Sequence, residues 1–381
     1  MEEIRVKGVE SLCGRDCENC AYFKENACSG CVSSKSNLTY YCAVYRCITY
    51  DIHDENINPE CEYCYFKGEC PKSRLHGIFK PFIITKAEGF KVDEKVSPQI
   101  AQGEFMPAIV FGDARSYFWN KGVDLPIKRL VLKYHELLKI ENHKVFWHSK
   151  REGLRKTLNI PEDIEIYIST VMPDFILEDL SPEKFARDVL KVRADGIIVY
   201  DGYDYISMPK EMTYQSLYRA YDRLMRVLKC TRGSDLNIIA ILLGSHQDQY
   251  EYYLKQIEEL GFKTVAITSR GFIELKLIEH LKSFVKLAKE HFNYVIAYGC
   301  DSPKIFRYIQ ANGFSGSGWF EHALEGKAYY KGDLIDARRH YVLCNCPICK
   351  GRPLDEVAKN VEELALHNLL FIINHARKES L

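Results

Sequence analysis

The sequence predicts an α/β fold: a (β/α)8 barrel with a zinc-binding subdomain near its C-terminal end, preceded by a small cysteine-rich domain. Three observations lead to this prediction. Short segments rich in Val and Ile alternate with longer amphipathic segments from about residue 105 to residue 381. The short segments are largely apolar on both faces, as parallel strands covered by helices are. No glycine-rich phosphate-binding sequence follows the first of them, which favours a closed barrel over a doubly wound sheet.

The predicted barrel strands are short and mostly apolar. We assign them to PAIVFG (107–112), EIYIST (165–170), GIIVYD (196–201), NIIAILLG (237–244), KTVAITS (263–269) and NYVIAYG (293–299). The segments between them place apolar residues at i, i+3, i+4 and i+7 with charges opposite, which is typical of helices that pack on a sheet. Ser181 and Pro182 open one of these helices as its N-cap and first-turn residues.

Composition limits the class of protein. Lys+Arg and Asp+Glu both number 52, so the formal net charge is zero, which argues against a protein that binds polyanions over its whole surface. No apolar run reaches about 18 residues, and the N-terminal sequence MEEIRVKG lacks the apolar core of a signal peptide. We therefore expect a cytoplasmic protein that does not enter a membrane.

Most of the 15 cysteines are clustered. Ten lie in residues 1–75, a polar segment with few apolar runs that needs a metal or cluster for its stability. These ten candidate metal ligands are Cys13, Cys17, Cys20, Cys28, Cys31, Cys42, Cys47, Cys61, Cys64 and Cys70. Their spacings are compatible with zinc and with an iron–sulfur cluster. Residues 76–104 are interpreted as a linker, and the isolated Cys230 and Cys300 as small apolar residues of a core.

A second cysteine cluster lies in the stretch CNCPICKGRPLDEVAKNVEELALHNL. Its spacing is C-x-C-x2-C, followed after 17 residues by a histidine, which predicts a closed Cys3His zinc site. The four predicted ligands are Cys344, Cys346, Cys349 and His367. The histidine is expected late in one helix whose apolar face contains Leu354, Val357, Val361 and Leu364. Four protein ligands leave no position for a reactive water, so this zinc is expected to brace the fold.

The same stretch resembles the zinc motif of the tRNA-guanine transglycosylases, with CxCPxC followed later by HNLLFII. The resemblance extends over about residues 105–375, through ADGIIVYD, the AILLGSHQ and VAITSRG strands, and YGCDSPKIFRYIQANGF. Upstream, pieces such as CGRDCENCAYF resemble short cysteine-rich domains of unknown function. The transglycosylase resemblance implies a (β/α)8 barrel that exchanges guanine for a 7-deazaguanine base, with an aspartate nucleophile and a second aspartate in proton transfer.

The resemblance places the base-recognising aspartate of that family at Asp201, at the end of GIIVYD. The nucleophile motif falls on Ser317, Gly318 and Trp319, which contain no carboxylate. The other catalytic strand end falls near Thr170, and the nearest acid there is Asp174.

Other polar residues at strand ends are candidates for the missing chemistry. The candidates are Asp113, Asp174, Asp204 beside Asp201, and His246, and of these Asp113 and Asp174 are the predicted catalytic residues. Gly244 and His246 stand where the family has glutamine and glycines, and are predicted to contact the substrate. Asp301 is another acid at a strand end, and with Ser302 and Pro303 it also matches an ordinary helix start.

Two functions of different classes follow. The first is a transglycosylase-like enzyme that exchanges or recognises guanine or 7-deazaguanine in nucleic acid, with tRNA the expected polymer. The second is a catalytically inactive subunit that binds nucleic acid or pairs with an active relative; a homodimer is also expected from the resemblance. An unrelated barrel enzyme with an iron–sulfur cluster is a third hypothesis. Two carboxylates converging on one site at the barrel mouth would favour catalysis.

Overall fold

The computed structural model confirms the barrel. It describes residues 91–93, 96–109, 125–139, 142–173, 176–177, 179–202, 204 and 210–377. Eight parallel strands close in chain order, with the last strand paired to the first. They are β1 (Glu104–Ile109), β2 (Arg129–Lys133), β3 (Glu165–Ser169), β4 (Gly196–Val199), β5 (Asn237–Leu242), β6 (Thr264–Thr268), β7 (Tyr294–Tyr298) and β8 (Gly313–Gly316).

Amphipathic helices cover the barrel strands. Those in the described part of the chain are α1 (Tyr134–Leu138), α2 (His143–Glu152), α3 (Leu154–Leu158), α4 (Pro182–Val192), α5 (Lys210–Thr231), α6 (Gln247–Glu259), α7 (Arg270–Glu274), α8 (Ile278–His291), α9 (Pro303–Ile309), α10 (Gly318–Leu324), α11 (Leu354–Val357) and α12 (Val361–Arg377). The predicted start of α4 is confirmed, because the Ser181 hydroxyl accepts the Lys184 amide at 3.2 Å. Ser302 caps α9 in the same way, accepting the Ile305 amide at 3.4 Å.

Six of the strands match predicted ones to within a few residues, and two were not predicted. The first strand begins at Glu104, inside the predicted linker, and β2 was missed. The segment GFSGSGW forms β8 and the start of α10. Gly and Ser have low strand propensity, so closure of the barrel between β7 and β1 imposes the extended conformation here.

The strand register separates lumen-facing from helix-facing residues. Thr268 pairs with Tyr298, and Tyr298 pairs with Ser315, so these side chains share one face of the sheet. The neighbouring Phe314 stacks on Phe306 of the outer helix α9, with ring centroids 4.2 Å apart. Tyr298 and Ser315 therefore face the lumen near the carboxyl ends of their strands.

An ion cluster lies at the opposite, amino-terminal end of the barrel. Arg129 Nη1 contacts Glu104 Oε1 at 2.6 Å, and Arg129 Nε contacts Glu165 Oε2 at 2.7 Å. The Arg129 and Glu104 side chains are buried. This cluster links β1, β2 and β3 far from the carboxyl ends, so its role is in stability.

A hairpin and a cysteine knuckle follow the barrel. Strands β9 (Lys327–Tyr330) and β10 (Asp333–Asp336) pair antiparallel, and a 3-10 turn follows at Ala337–Arg339. The single helix predicted over the zinc region is wrong: α11 and α12 are separate. Asn360 explains the break, because its side-chain oxygen accepts the amides of Glu362 and Glu363 and so starts a new helix.

The residues predicted for the apolar face of that helix are largely in the core. Leu354, Val357 and Leu364 are fully buried, while Val361 is half-buried. Cys300 is buried, as predicted. The prediction for Cys230 is wrong, because it lies exposed near the end of α5.

The barrel unit is separate from a second unit that contains the described parts of Gly202–Ala220 and Gly244–Gln249. Among the described helices, none combines the length and the apolar character needed to cross a membrane.

Candidate metal centre and barrel mouth

The four predicted C-terminal ligands lie together. Their ligand atoms are all within 4.8 Å of one another. His367 Nδ1 is 3.7 Å from Cys344 Sγ, 3.5 Å from Cys346 Sγ and 3.4 Å from Cys349 Sγ. Tetrahedral bonds of about 2.3 Å to sulfur and about 2.0–2.1 Å to nitrogen place these atoms about 3.5 Å apart. The donor set and its spacings therefore fit a metal ion such as zinc.

The backbone and the second ring nitrogen orient these ligands. His367 Nε2 lies 2.8 Å from the Tyr329 carbonyl, so it carries the proton and leaves Nδ1 free to bind a cation. The Cys349 amide donates to Cys346 Sγ at 3.4 Å. Gly351, at φ +83°, turns the chain so that its amide donates to the Cys344 carbonyl.

The electrostatics of the cluster call for a cation. The Cys349 thiol hydrogen bond lowers the pKa of Cys346 to about 3, while Cys346 raises the pKa of Cys349. Burial lowers the pKa of His367, but its contacts with Cys344 and Cys346 outweigh burial and raise it to about 10. Thiolates and an imidazole brought this close are stabilised by a bound cation.

The metal centre is connected to the barrel through Tyr329 and Asn368. Asn368 accepts the Tyr329 amide at 2.9 Å and donates to the Trp319 carbonyl at 3.2 Å, which ties α12 to β9 and α10. The Tyr329 hydroxyl donates to the backbone carbonyl of Asp301 at 3.3 Å. A chain of hydrogen bonds therefore runs from the ligand His367 to the loop after β7.

The barrel mouth is the carboxyl-terminal edge of the strands, where active sites of such barrels lie. Asp201 follows β4 and is 9 % exposed. Its amide donates to Thr170 Oγ1 at 3.1 Å, and the Thr170 amide donates to the Ile198 carbonyl. Thr170, at the end of β3, therefore fixes the backbone of the predicted recognition residue.

Asp201 and Asp301 lie at the same end of the barrel as the Tyr298 hydroxyl. Asp201 follows β4 and Asp301 follows β7, and all barrel strands are parallel. Burial raises the pKa of the Tyr298 hydroxyl, a hydrogen bond with Ser169 opposes the shift, and the charges of Asp201 and Asp301 raise the pKa further.

Asp301 is the residue that sequence reasoning noticed but did not place in the site. The residue is partly exposed, but its Oδ1 atom is buried and makes no hydrogen bond with any described residue. Burial raises the pKa of Asp301 to about 7, and the Gly318 amide opposes the shift. In the sequence, Asp301 is recognisable as an acid at a strand end in YGCDSP. It was not assigned to the site because Asp301, Ser302 and Pro303 also match an ordinary helix start.

Charged groups from several strands act on Asp301. Glu321 of α10 raises its pKa, whereas Lys133 at the end of β2 and Arg270 after β6 lower it. Asp301 follows β7, so it lies at the carboxyl-terminal end of the parallel barrel.

No model of a known protein family matches the chain, and no curated protein is significantly similar to it. The resemblance to tRNA-guanine transglycosylases therefore stays a prediction from the quoted sequence motifs.

Two predicted substrate-contacting residues belong to the second unit. The Gly244 amide donates to Asp204 Oδ2 at 3.1 Å. His246 Nδ1 lies 2.9 Å from the Ser245 hydroxyl, which is also 3.2 Å from Thr213 Oγ1. Both residues are engaged in local contacts, and their substrate contacts stay a prediction.

The remaining predicted site residues lie outside the described part of the chain. These are the catalytic candidates Asp113 and Asp174 and the ten cysteines from Cys13 to Cys70. The choice between zinc and an iron–sulfur cluster in that region stays open.

Proposed function

We propose that this protein is a transglycosylase-like enzyme that recognises guanine or a 7-deazaguanine in a nucleic acid and exchanges the base at the barrel mouth. The observation that carries the proposal is that two acids, Asp201 and Asp301, follow parallel strands and so lie at the same end of the barrel. When one site contains two acids in different environments, one commonly recognises the substrate and the other takes part in breaking and forming bonds.

Asp201 is the proposed recognition residue. A buried carboxylate can accept two hydrogen bonds from neighbouring N–H groups, which is the pattern that the edge of a guanine-type base presents. The Asp201 amide donates to Thr170 Oγ1 at 3.1 Å, which fixes the backbone that carries the carboxylate.

The C-terminal metal is proposed to be zinc in a structural role. Cys344, Cys346, Cys349 and His367 would hold it, and all four tetrahedral positions would be occupied by protein. Zinc here supplies positive charge that neutralises the thiolates and fixes α12 against the knuckle. The Tyr329 hydrogen bonds pass this rigidity to the loop that contains Asp301.

The inactive binding subunit is the second candidate. Gly318 favours it, because the position that the family resemblance assigns to the nucleophile has no side chain. In that case the mouth would bind a base without exchanging it. We favour catalysis because a second carboxyl group lies beside that position.

The deciding experiment is exchange of labelled guanine or 7-deazaguanine into bulk tRNA, with DNA in parallel, using anaerobically purified protein of measured metal content. Incorporation supports the enzyme. Binding of the base or tRNA without incorporation supports the subunit, and neither binding nor incorporation refutes both.

Recognition by Asp201 is tested separately with Asp201→Asn. We expect a loss of at least about tenfold in affinity for the free base, because the amide cannot accept both N–H groups. Asp235→Asn is the control: Asp235 is exposed at the opposite end of the barrel, before β5. Equal affinities for the two variants would remove Asp201 from the site.

A further inference from the structure

Two glycines form the seat of the Asp301 carboxyl group. A Cβ atom at Gly316 would overlap Asp301 Oδ1, and one at Gly318 would lie 2.7 Å from Asp301 Oδ2. Real Cβ atoms do not come so close to other heavy atoms, so a side chain at either position would displace the carboxyl group. The Asp301 carboxyl group therefore occupies space beside Gly318, which has no side chain of its own.

Helix capping is the simpler role for the Asp301 carboxyl group, but it accounts for only one of the two carboxyl oxygens. The Gly318 amide at the start of α10 donates to the carboxyl group. Oδ1 stays buried without a hydrogen-bond partner among the described residues, which ordinarily costs about 1–3 kcal/mol. A cap on a seven-residue helix does not require that cost.

Another buried polar atom, at the carboxyl end of β8, shares this condition. Ser315 Oγ has no hydrogen-bond partner among the described residues, and it faces the lumen. Buried polar atoms are nearly always paired in folded proteins. Asp301 Oδ1 and Ser315 Oγ therefore leave hydrogen-bonding capacity for a polar ligand at this end of the barrel.

The stereochemistry of base exchange determines which chemical group the carboxyl-terminal end of the barrel must supply. Base exchange that yields an ordinary nucleotide has to keep the configuration at C1′, because the opposite anomer would direct the base to the wrong face of the sugar. One direct displacement would invert that centre, whereas two successive displacements through a nucleophile on the protein retain it, and a carboxylate is the usual nucleophile at such a carbon.

We propose that Asp301 is the carboxylate that bonds to the sugar, reaching from residue 301 into the space beside Gly318; this assignment rests on the proposed function. A carboxylate oxygen forms a bond to C1′ as the C1′–N bond breaks, and the electron pair leaves with the base, which takes a proton. The incoming base then attacks C1′, loses its N–H proton, and the carboxylate departs with the electrons of the ester bond.

The environment of Asp301 is compatible with this role. Burial raises its pKa to about 7, and Glu321 adds to the shift, while the Gly318 amide, Lys133 and Arg270 oppose it. The carboxylate is then a better nucleophile than an ordinary aspartate and is still formed at neutral pH.

The test compares four proteins: wild type, Asp301→Asn, Asp301→Gly, and the double variant D301G/G318D. The double variant places a carboxyl group in the same space, but attaches it to the backbone at position 318 and not at position 301. Asp333→Asn is the control, since Asp333 is exposed and pairs only with the surface Lys304 at 2.8 Å. Each protein is assayed for guanine affinity, for guanine exchange into tRNA, and for a protein–RNA ester that survives denaturation.

We expect Asp301→Asn to lower exchange by about a thousandfold or more, with guanine affinity within about twofold of wild type. The control should retain full activity. D301G/G318D should exceed Asp301→Gly by at least about tenfold, because the position of the carboxyl group decides the activity. Mass spectrometry of the wild-type ester should locate it on the peptide that contains Asp301.

Two results would overturn the assignment alone: exchange by Asp301→Asn above a tenth of wild type, or an ester on another residue. A wild type that binds guanine without exchange or ester would overturn both the assignment and the proposed enzyme, and would support the binding subunit. A wild type that does not bind guanine would overturn the proposed function as well. If the double variant fails to fold, the ester location and the Asp301→Asn rate decide the question.

Discussion

Replacing Asp301 by Asn should stabilise the protein at alkaline pH. Its pKa is raised to about 7 from the ordinary 3.8, chiefly by burial. The folded protein therefore disfavours the ionised form, and stability is lost as pH rises from about 4 to about 7. At 1.36 kcal/mol for each pH unit between the two pKa values, the cost of ionisation reaches about 4 kcal/mol. Part of the residue faces solvent, so we expect about half, ~2 kcal/mol.

Asn keeps the shape of the side chain and its oxygen can still accept the Gly318 amide, but it has no charge to desolvate. The variant should therefore be more stable than wild type by ~2 kcal/mol at pH 8 and by less than ~1 kcal/mol at pH 5. Glu321, Lys133 and Arg270 surround the group and are unchanged in both proteins.

The assay is urea denaturation at pH 5 and pH 8, followed by tryptophan fluorescence, with metal content measured at both pH values. Asp333→Asn is the matched control and should change stability by less than about 0.5 kcal/mol at either pH. A variant that is less stable than wild type at pH 8 would refute the reasoning. Asp301 would then be an ionised helix cap whose charge is well stabilised.

Three further predictions test the metal centre, the ion cluster and the glycine seat. His367→Ala should lose one equivalent of bound metal and on the order of 5 kcal/mol of stability, whereas His375→Ala, two turns later in α12, should keep both; equal metal contents would exclude His367 as a ligand. Arg129→Met should destabilise by about 3–5 kcal/mol by denaturant titration, because it leaves the buried Glu104 carboxylate unpaired, and a change below about 1 kcal/mol would contradict the burial. Gly316→Ala should destabilise wild type but cost little in an Asp301→Ala background; equal costs in this double-mutant cycle would mean that the two residues do not interact.

The zinc-type site was predictable from the sequence because its chemistry depends on few residues with a characteristic spacing. Cys344, Cys346 and Cys349 lie within six positions, so any compact turn brings them together. The histidine was identified from its position after an amphipathic segment. The break between α11 and α12 was not predicted, because an Asn within an apolar periodicity is compatible with a helix interior and with a helix cap. In the folded protein Asn360 is a cap.

The barrel mouth was only partly predictable. Asp201 was placed because it ends a strand of strongly apolar residues, and such strands end at the mouth. β8 was not predicted, because its Gly and Ser residues carry no apolar pattern and adopt the strand only through pairing with β1 and β7. The role of Asp301 depended on this unpredicted strand.

The sequence by itself determined the alternating strand–helix order, the C-terminal ligand set and the acid at the end of β4, because periodicity and ligand spacing are local properties of the chain. Only the tertiary structure decided that the Asp301 carboxyl group lies over Gly316 and Gly318, fifteen and seventeen positions later in the chain. Whether a strand-end aspartate caps a helix or meets a ligand depends on burial and on the groups that face it. Those are set by closure of the barrel and not by any neighbouring residue in the sequence.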